Sequence, residues 1–156
     1  MDKLTPKEAS KGAEEIVLTQ IKQDFITPAN AIFDYVDMVE KVLNEADLTS
    51  EDEIAQIKSS CNHLIEQYEV AFLQNTGINA ETSKKTPEEY SELRHNLRTP
   101  LNAIIGYSEI LMEDYEDDLE ESALEDFQQI INLARETEKA IEIFVDYIRG
   151  ESIDPN

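Results

Sequence analysis

Apolar positions in this chain recur at intervals of three and four, in four long stretches separated by short polar breaks. The first stretch runs through Ile16, Ile21, Phe25, Ile32, Tyr35, Met38, Val39 and Leu43. That spacing puts one apolar stripe on an α-helix. Thr5-Pro6-Lys7-Glu8 reads as its start: a capping Thr, a Pro suited to the first helical position, and a Glu that closes a capping box. Pro28 falls inside the pattern and is expected to bend the helix rather than end it. Residues 46–50 read as a turn, and Ser50 with Glu53 as a second capping box. A second stripe follows through Ile54, Ile57, Cys61, Leu64, Tyr68 and Ala71 to about Asn75, with Gly77 as a stop.

A polar connection over 77–86 ends in Lys84-Lys85, and Thr86-Pro87-Glu88-Glu89 repeats the start signal of Thr5. The third helix is expected to reach about Tyr115, and the acidic run 116–121 makes the turn. The fourth carries Leu124, Phe127, Ile130, Ala134, Ala140, Ile141, Phe144 and Ile148, and Gly150 closes it. No strand pattern is present. The expected fold is all-α: two tandem helical hairpins, 5–76 and 86–150, in a single antiparallel four-helix bundle spanning residues 1–156.

The two hairpins also resemble each other. Residues 20–39 lie over residues 92–111 at a shift of 72, with six of the twenty pairs identical. These are Thr27 with Thr99, Pro28 with Pro100, Asn30 with Asn102, Ala31 with Ala103, Ile32 with Ile104 and Tyr35 with Tyr107. The second and fourth helices align at a shift of 73, which one extra residue in the second turn explains. An internal repeat of this kind is expected to build a pseudo-dimer within one chain.

Composition narrows the partners. Hydrophobic residues make up 40% of the 156, so the chain can bury a core and is no disordered acidic tail. Acids outnumber bases 35 to 13, for a formal charge of -22, which repels nucleic acid and anionic membranes. Cys61 is the single cysteine, so no disulfide framework exists within the chain, and the expected location is cytoplasmic. The first twelve residues lack the apolar run of a signal peptide, and no stretch approaches a membrane span.

The chemistry concentrates on the third helix. His95 is followed by Asn96, Leu97, Arg98, Thr99, Pro100, Leu101, Asn102, Ala103 and Ile104. With about 100° per residue and Leu93 at zero, Leu97, Leu101, Ile104, Ser108 and Leu111 fall within about 80° on one side, while His95 falls near roughly 200°. Arg98, Thr99, Asn102, Gly106 and Glu109 lie around the same outer face. His95 is therefore expected to face solvent. The stretch His95-Asn-Leu-Arg-Thr-Pro-Leu-Asn102 resembles the phosphoacceptor motif of the dimerisation and histidine-phosphotransfer domain of two-component sensor histidine kinases. In that family a hairpin pairs with its twin from another chain to make a four-helix bundle.

The resemblance implies a phosphoryl group exchanged between His95 and a receiver-domain aspartate. It implies roles for Thr99 and for the residue after the histidine, here Asn96, in catalysis. Arg98, Asn102, Gly106 and Glu109 become candidates for partner binding. Receiver domains and a sensor histidine kinase are the implied partners. No cofactor or metal is expected in this chain, with Mg2+ on the receiver. The family usually carries an acid where Asn96 stands, which puts ATP-dependent phosphorylation in doubt. Four scattered glycines cannot build nucleotide loops, so phosphate is expected to come from another protein or from a catalytic region outside these residues. Whether the chain is itself an enzyme is left open.

In the first hairpin the same positions hold Gln23, Ile26 and Asp34, an expected structural half without an acceptor. Two other readings of the whole stay open: a receiver-binding scaffold that is never phosphorylated, and a phosphatase that positions water with Asn96 and Thr99. Glu92-Leu-Arg-His95 matches a di-iron spacing, but the second copy offers only Gln20 and Gln23. His63 carries no motif and reads as surface.

Overall fold

The computed structural model describes residues 6–48 and 50–150, with side chains from residue 12 onward. Four α-helices follow one another: α1 Pro6–Glu45, α2 Glu51–Asn75, α3 Pro87–Asp114 and α4 Glu121–Ile148, with a short 3-10 turn at Gly77–Asn79. No strand occurs among the described residues. Helices α1 and α3 each pack against both α2 and α4, so the four close into a ring in which neighbours run antiparallel. α1 packs more extensively along α4 than along its own hairpin partner α2.

The ring closes because each helix brings one apolar stripe to a shared centre. Phe25, Ile32 and Val39 come from α1, Ile57, Leu64 and Tyr68 from α2, Leu97, Leu101 and Ile104 from α3, and Phe127, Ile130 and Phe144 from α4. The expected stripe of α3 is borne out from Leu97 through Leu111, with Ser108 fully buried among its apolar members. In α1 the stripe is shifted. Ile16 is 72% and Met38 47% exposed, while Ala29 and Val36 fill the core instead. Met38 directly precedes buried Val39 and lies about 100° round the helix from it, on the outer side.

Aromatic rings tie the hairpins together. Tyr68 stacks on Phe25 with centroids 3.5 Å apart and also meets Phe144 of α4, tilted, at 4.9 Å. Burial pushes the Tyr68 hydroxyl above its ordinary range, and pushes the Cys61 thiol up to about 12. Cys61 is thus a small core residue, not a reactive thiol.

Pro28 and Pro100 both lie inside their helices and neither ends one. The start signal at Thr5 lies outside the described residues. The one at Thr86 forms in full: Thr86 Oγ1 accepts from Glu89 N at 3.2 Å, and Thr86 N donates to Glu89 Oε1 at 3.0 Å. Those bonds hold the Glu89 carboxyl below its ordinary value, so the box weakens only as pH falls through that lowered value. Thr86→Ala should lower unfolding free energy by about 1 kcal/mol, read as a shift in the urea midpoint at constant slope. The box expected at Ser50 does not form. Ser50 turns its hydroxyl away and donates to Tyr115 Oη at 2.6 Å, joining the α1–α2 turn to the end of α3.

Candidate functional site

Thr86 and Pro87 start α3, and the stripe from Leu97 to Leu111 fixes its rotation about its own axis. Everything else on the helix follows from that rotation. His95 comes out exposed on the outer surface, as do Asn96, Thr99, Asn102 and Glu109. Thr99 spends its proton locally, donating from Oγ1 to the His95 carbonyl at 2.9 Å, which leaves its oxygen lone pairs outward. Gly106 is half-buried, and a Cβ added there would meet nothing within 4 Å, so the helix does not need glycine at this point for its own packing.

The outer residues do not share one face. Arg98 turns to α4, where its Nη2 sits 2.6 Å from Glu142 Oε1 and 3.5 Å from Glu138 Oε1. One turn earlier, Arg94 reaches the same Glu142 at 3.0 Å and Asp146 at 3.4 Å. Glu142 therefore bridges two arginines on the α4 flank of His95. These pairs are a third or so exposed, which limits each to about 0.2–1 kcal/mol. Negative charge added at His95 would compete for an Arg98 already held by two carboxylates.

On the opposite flank α3 faces α2. Asn96 and Thr99 form one wall of a groove, and His63, Gln67, Ser59 and Ser60 form the other. His63 thus lies across from the neighbours of His95 although it stands 32 positions before His95 in the chain (95 minus 63). No local signal in the sequence points to this. Glu109 belongs to a third place, a groove between α3 and α4 that it shares with Glu113, Glu116 and Arg135. Among the described residues no three His, Cys, Asp or Glu side chains converge as metal ligands. None of the described helices is long and apolar enough to cross a membrane.

Residues 88–153 match the His Kinase A (phospho-acceptor) domain. The phospho-acceptor domain is thus found over 66 of the 156 residues. The match spans α3 and α4, and its limits fall one residue inside Pro87 and just beyond Gly150. A His Kinase A domain is the histidine phosphoacceptor module of two-component signalling. Within the matched residues there is one histidine, His95. No curated protein and no solved structure matches the chain.

Proposed function

We propose that the chain is a histidine phosphotransfer module in which His95 exchanges a phosphoryl group with the aspartate of a receiver domain. The observation that carries this is the exposed position of His95, the one histidine of the phospho-acceptor domain. A neutral imidazole nitrogen attacks the phosphorus of the receiver's aspartyl phosphate. The N–P bond forms as the P–O bond breaks, the aspartate leaves as carboxylate, and the imidazole releases its proton to solvent. The product must stand on an open face to be reached by the next carboxylate, and His95 does. Arg98, one turn away, would have to leave Glu138 and Glu142 to reach the added charge. Incubation with phosphorylated receiver domains should place acid-labile phosphate on the chain. Failure of every receiver to label it would defeat the reading.

Asn96 and Thr99 on one groove wall support a second reading, in which they orient water for receiver dephosphorylation. The same assay separates the two. Phosphatase action removes receiver phosphate without labelling the histidine.

The tandem repeat supports a further part of the proposal: the chain acts as a monomeric pseudo-dimer with one working face. Gln23 and Asp34 are exposed where the second hairpin has His95 and Gly106, and Ile26 stands where it has Arg98. One chain should bind one receiver. Gly106→Asp copies the first hairpin's residue into open space, so it should spare the bundle while weakening docking by about 1–3 kcal/mol. Asp34→Gly should change docking little. A calorimetric titration giving two receivers per chain, or equal sensitivity to the two substitutions, would show the halves to be equivalent.

A further inference from the structure

The two hairpins differ in what joins their own helices beside the acceptor position. In the second, Arg94 and Arg98 of α3 meet Glu138, Glu142 and Asp146 of α4. At the shifts of 72 and 73 the first hairpin has Ile26 for Arg98 and Ile65 for Glu138. Both isoleucines are half-buried and pack against the core. Lys22 takes the place of Arg94 and turns its Nζ over the Phe72 ring instead. An apolar pair therefore serves this fold where the acceptor is missing, and the charged pair stands beside His95.

In that charged set three carboxylates share two guanidinium groups. Glu142 holds both: its Oε1 lies 2.6 Å from Arg98 Nη2 and its Oε2 3.0 Å from Arg94 Nε. Glu138 adds a contact to Arg98 at 3.5 Å, and Asp146 one to Arg94 at 3.4 Å. A phosphoryl group on His95 brings about two negative charges to within one turn of Arg98. To pair with it, Arg98 must give up two carboxylates already in contact. It would also leave Glu138 and Glu142 one turn apart on α4 as a repulsive pair. The exchange gains little, so the clamp holds. On the other flank, no Lys or Arg lines the groove beside Thr99 that could take its place.

We propose that Glu142 is a positioning residue that withholds Arg98 from phosphorylated His95, with Glu138 assisting. The phosphohistidine is then left without a cation from its own chain. That disfavours its resting here and favours its passage to a partner aspartate. This rests on the phosphotransfer reading for His95 as the acceptor.

The test loads phosphate chemically, without a receiver. Phosphoramidate is added to the full chain carrying His63→Gln, which leaves His95 as the one imidazole. The imidazole nitrogen attacks phosphorus, the N–P bond of the reagent breaks, and ammonia leaves with the imidazole proton. The second ionisation of the phosphoryl group is then followed by phosphorus NMR against pH. Glu142→Gln frees Arg98, which favours the dianion, so the midpoint should fall by about one pH unit. Glu138→Gln should lower it less. Adding Arg98→Gln should cut the Glu142→Gln effect to less than about a third, because that effect runs through the guanidinium. All variants should melt with the parent, since ion pairs this exposed add little. No fall in Glu142→Gln would overturn the proposal. So would equal falls with and without Arg98, which would mark the bare removal of a nearby charge. In a second arm a phosphorylated receiver domain is mixed with each chain, and the phosphate retained on His95 at equilibrium should rise several-fold in Glu142→Gln. A clamp that behaves as expected under chemical loading, with no exchange by any receiver, would defeat the phosphotransfer reading and leave the clamp standing. No chemical label on His95 would defeat both.

Discussion

His95→Gln should abolish phosphate uptake and leave the melting temperature within about 2 °C of wild type. The loss is complete because a carboxamide has no nucleophilic nitrogen to form the N–P bond. The stability is spared because His95 is exposed and makes no part of the apolar stripe that orients α3. The first hairpin already carries Gln23 at the matching position of an intact helix, so glutamine is compatible with this surface. Two measurements decide it: acid-labile phosphate after incubation with phosphorylated receivers, and thermal unfolding followed by circular dichroism. Residual labelling would move the acceptor elsewhere, with His63 the remaining histidine. A large fall in melting temperature would mean that His95 supports the fold.

Phe144→Ala should cost about 3–5 kcal/mol, the largest stability effect of any single truncation proposed for this bundle. Phe144 is fully buried, and its ring meets Tyr68 at 4.9 Å and Phe72 at 5.8 Å, both on α2. Removing it takes away apolar burial and leaves a cavity between the hairpins, because a core helix relaxes only partly. The melting temperature should fall by roughly 6–20 °C. Since the lost contacts join the two hairpins, the transition should stay single, with amide exchange in α2 and α4 accelerating together. A loss below about 1 kcal/mol, or two separate transitions, would show that the hairpins fold independently and that the ring is not one cooperative core.

The largest part of the architecture was legible because α-helical periodicity is local. The stripe through Leu97, Leu101, Ile104 and Leu111 sets how α3 is rotated, and that rotation alone brings His95 to the surface. The Thr86 box was legible for the same reason, since its partners stand three residues apart. Ile16, Met38 and the Ser50 box were misread. A stripe of apolar letters does not say which of two adjacent members wins the core, and a cap residue can be claimed by a side chain 65 positions away.

The sequence by itself determined four helices, their order, the exposed histidine and the family of the second hairpin, because each depends on residues within a few turns of one another. Only the tertiary structure decided what flanks that histidine. Arg98 is held by Glu138 and Glu142 on one side, and Asn96 and Thr99 face His63 and Gln67 on the other. Side chains at the edge of a helical stripe point toward whichever helix packs beside them. That choice is made by core packing between segments distant in the chain.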